Sequence, residues 1–274
     1  MDVLARIIAT KREELAERRL RLPLAELRAR VRDLPPPRPF AAALAARIAE
    51  AELAVIAEIK RASPSQGRIR EDFDPVLHAR QYQAGGAAAL SVLTDERFFE
   101  GRAEFLMAAR TASGLPALRK DFLIDPWQIY EARLLGADAV LLIAACLGAG
   151  ELTELAALAR ELALEVLIEV HGEEELAAAL AAGEAMIGIN HRDLRSFRVD
   201  LAVSERLVRQ IPPQRMVVAE SGIASGTDLR RLAEHGIRAF LIGERLMRAP
   251  DPGLALKSLL SDARASAARV PSPP

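Results

Sequence analysis

Two lysines, Lys60 and Lys120, each close a short apolar run that reads as a β-strand. The chain holds 37 Lys+Arg, yet only Lys11, Lys60, Lys120 and Lys257 are lysine. Arginine stays protonated at any working pH; lysine is a point charge whose pKa can fall when water is removed, so it can give or take a proton. Acids and amides stand at equivalent places. Glu58 shares a strand face with Lys60 by the period-two alternation of side chains. Glu169 lies near the end of the run 164–170, Asn190 at the end of 185–190 with Arg192 just beyond, and Glu220 at the end of 215–221. Charged groups inside apolar strands need a partner or a task. Acid–base chemistry is the sharper reading. The plainer one is a polar plug in which Lys60, Lys120, Glu58 and Glu169 only neutralise one another.

A second group suits an anion. The loop Ser63-Pro64-Ser65-Gln66-Gly67 follows the first strand, Ser221-Gly222 the seventh and Gly243-Glu244 the eighth. Small residues let backbone N–H groups approach a phosphate, although each pair alone is an ordinary turn. Phe99 and Phe122 sit in loops where an aromatic face can cover a ring, whereas Trp127 is expected in the core. His78 and His235 read as packing or surface residues. His171 and His191 lie just past strand ends with no second ligand at metal spacing, and Cys146 is a lone cysteine in an apolar run, so no metal site is expected.

The elements that position these residues follow from the alternation. Apolar runs at 53–60, 87–94, 115–121, 137–145, 164–170, 185–190, 215–221 and 238–243 each precede a helical pattern that starts at Asp, Ser or Asp-Pro and tends to stop at Gly. Eight strand–helix units predict a parallel sheet closed into a (β/α)8 barrel, with catalytic groups at the C-terminal strand ends. An open doubly wound sheet is the alternative, but no glycine fingerprint follows the first strand. Helical patterns at 2–20, 24–32 and 40–50 precede the barrel, and residues 264–274 have little to bury.

Composition narrows the function. A net charge of -1 with both signs mixed argues against nucleic-acid binding through a basic field. No apolar run reaches the roughly 18 residues of a membrane span, and the N-terminus lacks a signal peptide, so a cytoplasmic location is expected.

Long stretches carry a resemblance. Residues 58–67 (EIKRASPSQG), 118–143, 187–197 (IGINHRDLRSF), 218–223 (VAESGI) and 240–247 (FLIGERLM) resemble the indole-3-glycerol-phosphate synthase family in order and spacing. Gln66 departs from a usual basic residue, and His191 from the Asn or Thr also common there. The resemblance covers about residues 2–262. It implies a single barrel domain whose N-terminal helical extension, residues 1–50, lies over the active-site mouth. It implies ring closure of 1-(2-carboxyphenylamino)-1-deoxyribulose 5-phosphate to indole-3-glycerol phosphate, with loss of CO2 and water, and no cofactor. Lys120 is then the general acid and Lys60 grips the substrate carboxylate. Glu169 acts in dehydration, Glu58 orients the lysines, and Asn190, Arg192 and Glu220 meet hydroxyls or buttress the site. Ser63, Pro64, Ser221, Gly222, Gly243 and Glu244 form the phosphate set, and Phe99, Phe122 and Leu142 wall the aromatic ring. The partner is a small phosphorylated substrate, without nucleic acid or membrane. A monomer or weak homodimer is expected, with association with other tryptophan-pathway enzymes as an option. A sibling phosphoribosylanthranilate isomerase would want a Cys/Asp pair at strand ends, and a sugar-phosphate binder without turnover would not need such lysines. On this reading Lys60 and Lys120 cannot be exchanged for arginine, whereas Lys11 and Lys257 can.

Overall fold

The computed structural model describes residues 3–50, 52–193 and 198–267. Eight parallel strands close into a barrel: β1 (Ala54–Ile59), β2 (Ala89–Leu93), β3 (Ala117–Lys120), β4 (Ala139–Ile143), β5 (Glu165–Val170), β6 (Met186–Asn190), β7 (Val217–Glu220) and β8 (Ala239–Ile242), with β8 pairing back onto β1. A small antiparallel pair, Ala62–Ser63 with Gly67–Arg68, stiffens the loop after β1.

Side chains alternate between two layers. Val55, Ala57, Val140, Leu142, Ile168 and Phe240 point outward into the layer beneath the helices. Ala54, Ile56, Leu118, Leu141, Ile143, Leu167, Val218 and Leu241 fill the barrel interior. The same period carries polar residues to the upper end of that interior. Ile143 pairs with Glu169, Glu169 with Gly188 and Asn190 with Glu220, so these strand ends lie at one level.

The surrounding helices start where the chain supplies caps. Asp74 accepts from Val76 and Leu77 N–H ahead of α4 (Pro75–Ala84), and Asp125 accepts from Trp127 N–H ahead of α6 (Pro126–Leu134). Both have proline at the first helical position, where its missing N–H costs nothing. The rest of the outer ring is α5 (Ala103–Ser113), α7 (Ala149–Glu161), α8 (Glu173–Ala181), α9 (Ala202–Leu207), α10 (Gly226–Glu234), α11 (Glu244–Met247) and α12 (Pro252–Ala267). The weakly apolar tail was expected from residue 264, but α12 runs on to Ala267; residues 268–274 lie outside the described residues.

The N-terminal segment divides its work rather than covering the mouth as one piece. Of its three helices, only α1 (Val3–Arg21) reaches the upper cavity, through Val3, Leu4 and Ile7. The second, α2 (Leu24–Val31), packs beside α6, where Leu15, Leu27 and Trp127 form a separate buried cluster. The third, α3 (Phe40–Ala49), seats Phe40 and Leu44 against the interior residues at the opposite end. There the Ala41 N–H donates to the Glu165 carboxylate at 2.9 Å. No described helix is long and apolar enough to cross a membrane.

Candidate active site

A cavity of about 400 Å³ opens at the C-terminal ends of the strands. Lys60, Lys120, Glu58, Glu169, Asn190, Arg192 and Glu220 all border it, as do Ser63, Pro64, Phe99, Phe122, Ser221, Gly222, Gly243 and Glu244. Leu142 does not. Strand β4 turns its odd-numbered side chains inward, so Leu141 and Ile143 reach the cavity and Leu142 packs under the helices. The sequence-based assignment of Leu142 to the ring wall is therefore one residue out of register.

The charged groups form two linked pairs. Lys60 Nζ lies 2.5 Å from Glu58 Oε1. Lys120 Nζ donates to Glu169 Oε2 at 2.9 Å and lies 3.6 Å from Glu220 Oε2, while Asn190 Nδ2 donates to the other Glu169 oxygen at 3.1 Å. Burial would draw the Lys120 ammonium down, as the sequence argument assumed. The charges of Glu169, Glu220 and Glu58 outweigh it and hold that ammonium well above the ordinary lysine value. Burial likewise opposes ionisation of Glu169, but Lys120 and then His171 bring its pKa down to about 2. Glu220 goes the other way: burial, only partly offset by Lys120, and the nearby Glu169 and Glu58 push it up to about 8. At neutral pH the Lys120 ammonium thus faces an ionised Glu169 and a protonated Glu220. Among the described residues, the Glu220 Oε1 atom has no hydrogen-bond partner.

Glycine makes this crowding feasible. A Cβ on Gly188 would meet Glu220 Oε1, and one on Gly243 would meet Glu58 Oε1. Ser221 and Gly222 both take left-handed backbone, with φ of 64° and 72°. Consecutive residues of this kind turn their N–H groups to one side, which suits an anion. His191, buried and held below its ordinary pKa by that burial, contacts the Ser221 carbonyl at 2.9 Å through Nδ1 and Ser204 Oγ at 2.6 Å through Nε2. It is a brace for this loop. Beside it, Arg192 lies 3.3 Å from Glu244. Gln66, the departure from a basic residue, accepts a hydrogen bond from Arg248 Nη2 at 2.8 Å, so a cation stands next to it; Arg248 and Arg245 both border the cavity. Phe99 and Phe122 face each other obliquely with ring centres 6.1 Å apart.

Behind Lys120 lies a buried network that sequence reasoning missed. Lys11 of α1 is 2% exposed and reaches Asp95 at 2.8 Å, Glu14 at 2.9 Å and Asp121 at 3.1 Å. Asp121 also accepts from Thr94 Oγ1 at 2.6 Å and lies 3.4 Å from the fully buried Arg119, whose other carboxylate partner is Glu131 at 2.6 Å. Lys11, expected to be exchangeable for arginine, thus sits in a buried and filled ionic site. Its spacing of four from both Ile7 and Leu15 was the available signal that it shares their buried face. Cys146 is a neutral thiol, pushed up to about 12 by burial and nearby carboxylates. Among the described residues no cluster of His, Cys, Asp and Glu is arranged to hold a metal.

Comparison with known proteins extends the geometry. Residues 4–259 match the family model described as indole-3-glycerol phosphate synthase. An indole-3-glycerol phosphate synthase of Acidithiobacillus ferrooxidans is 54% identical over 261 residues, covering 95% of this chain and 99% of the relative. One from Aromatoleum aromaticum is 50% identical over 258 residues, covering 94% and 98%. Among solved structures, tryptophan synthase subunit alpha from Legionella pneumophila superposes with a TM-score of 0.61 at 14% identity, over 84% of this chain and 98% of that one. Thiamine phosphate pyrophosphorylase from Pyrococcus furiosus gives 0.59 at 19% identity, over 78% and 96%. At such identities these two share the fold alone.

Proposed function

The chain belongs to the indole-3-glycerol phosphate synthase family, and on that premise we propose how its residues divide the work. The activity is that of a carboxy-lyase in tryptophan biosynthesis: ring closure, decarboxylation and dehydration of 1-(2-carboxyphenylamino)-1-deoxyribulose 5-phosphate.

The phosphate is held by backbone N–H groups of Ser221-Gly222 and Gly243-Glu244, by the Ser63 loop with Pro64, and by the charge of Arg248 near Gln66. The aromatic ring lies between Phe99 and Phe122, on the apolar floor of Leu141 and Ile143. Lys60, steadied by Glu58, pairs with the substrate carboxylate. The ring carbon that bears this carboxylate attacks the substrate ketone, and negative charge grows on the ketone oxygen. Lys120 donates a proton there, which its three carboxyl neighbours do not forbid, because a developing alkoxide is far more basic than a carboxylate. CO2 leaves as the ring regains aromaticity. Dehydration then expels the former ketone oxygen as water, with Glu169 taking the proton from the adjacent carbon. Asn190 orients Glu169, Arg192 meets a substrate hydroxyl, and the neutral Glu220 donates a hydrogen bond that an ionised carboxylate could not.

The observation that carries this assignment is the contact of Lys120 Nζ with Glu169 Oε2 at 2.9 Å inside the cavity. The contact sets the proposed acid and base side by side, each holding the other in its charged form. The test is turnover of the carboxyphenylamino substrate, followed by indole absorbance, in Lys120→Arg and Glu169→Gln. Near-normal turnover in either variant removes that residue from its role. Size-exclusion chromatography with light scattering tests the monomer or weak homodimer.

A further inference from the structure

The reaction consumes one proton in each cycle. The expelled ketone oxygen leaves with two protons. One comes from substrate carbon, while the other replaces the negative charge lost when the carboxylate departs as neutral CO2. One proton must therefore enter from solvent in every cycle. Lys120 can lend it once and must then be recharged.

We propose that His171, held by Glu175, is the shuttle that returns this proton from solvent to the Lys120–Glu169 pair. The inference rests on the site assignment above. His171 follows the last residue of β5, and its Nε2 lies 3.5 Å from Glu169 Oε1. That nitrogen is buried and, among the described residues, has no hydrogen-bond partner. The other ring nitrogen, Nδ1, lies 3.1 Å from Glu175 Oε2, an oxygen that also accepts from the His171 backbone N–H at 2.7 Å. Glu175 thus fixes the ring from the outside and leaves Nε2 facing the catalytic carboxylate. The side chains form a graded path: Glu175 is 29% exposed, His171 14% and Glu169 3%.

Charges around the ring favour this task. Burial disfavours the imidazolium, but Glu175 on α8 and Glu169 on β5 outweigh that burial and the opposing charge of Lys120 on β3, so its pKa is raised. The nearby Cys146 thiol is neutral. In the step itself the Nε2–H bond breaks, the proton passes to Glu169, and Glu169 delivers it to the neutral Lys120 amine. A new N–H bond forms on Lys120, and the ring left behind takes up one solvent proton. No oxidation state changes. His171 touches no substrate atom, so it is a positioning and relay residue rather than a catalytic one.

The experiment separates the first turnover from the later ones. Lys120 starts protonated, so His171→Asn leaves the first turnover within about twofold of wild type while steady-state kcat falls about tenfold. Added imidazole buffer then raises kcat in proportion to its concentration. A structural role would slow both phases together and ignore the buffer. Equal losses in both phases, or an unchanged kcat, overturn the shuttle. Should His171→Asn fail to fold, Glu175→Gln keeps the oxygen acceptor at a half-buried position. It is expected to lower kcat about threefold and move the alkaline fall of the rate to lower pH; an unchanged profile there overturns the proposal as well. Glu169→Gln separates the two levels. Normal turnover in that variant sinks the site assignment, whereas an inactive Glu169→Gln beside a normal His171→Asn sinks only the shuttle.

Discussion

Lys11 Nζ lies 3.1 Å from Asp121 Oδ1, and Asp121 directly follows Lys120 in the chain. One buried ammonium thereby fastens α1 to the strand end that carries the proposed general acid. Glu14 and Asp95 complete its shell, so removing it leaves three acids facing one another.

Lys11→Met is therefore expected to destabilise the protein by about 3–5 kcal/mol, the usual result of stripping one partner from a buried ionic cluster. Lys11→Arg should cost about 1–3 kcal/mol, because the larger guanidinium must fit a filled site. Urea unfolding measures both. A loss below about 0.5 kcal/mol in Lys11→Met would show that the network is not holding α1.

Lys120→Arg keeps the charge but not a readily released proton, so kcat should fall about 10²-fold or more with KM changed little. Lys60→Arg should act mainly on KM, since its proposed role is to grip a carboxylate. Steady-state kinetics on the two variants distinguish the roles; the reverse pattern would exchange them.

Stability should depend on pH through Glu220. Its folded pKa of about 8 lies above the ordinary carboxylate value, so its contribution is full below about 4.5 and is lost as pH rises through 8. Glu220→Gln should then raise Tm by about 3 °C or more at pH 8.5 relative to wild type, and change it little at pH 4.5. Glu169 has the opposite sign: its contribution is present above the ordinary value and lost as pH falls toward about 2. Equal Tm differences at the two pH values would contradict a neutral Glu220.

Leu142→Ala should lower stability by about 2–5 kcal/mol with kcat and KM unchanged, because the side chain packs under the helices. Ile143→Ala, one residue on, should raise KM. A KM effect confined to Leu142→Ala would restore the original register.

Arg248→Ala should raise KM about fivefold through the phosphate, with kcat preserved. Pairing it with Gln66→Lys tests whether the two positions share one duty: the lysine should recover most of the loss. No recovery would separate them.

Much of this was legible in the chain because strand residues declare their faces. The alternation from Glu58 to Lys60 and the isolated acids at 169 and 220 located the cavity, and the Asp-Pro helix starts counted the units. Leu142 went astray because an all-apolar run such as 139–143 gives no polar residue to set the register. The Lys11–Asp95–Asp121 contacts were hidden for a different reason. They join residues more than eighty positions apart, and a charged residue on a helix reads as solvated until something is known to cover it. The division of the N-terminal segment between the two barrel ends was equally invisible, since Phe40 and Leu44 look like any apolar helix face.

That division bears on how the molecule is made. The floor on which α3 rests is built from strands across the whole barrel, β8 included. It does not exist until the final strand has met the first. Helix α3 therefore gains its full seat only on barrel closure, a constraint that α2, packed on α6, does not share.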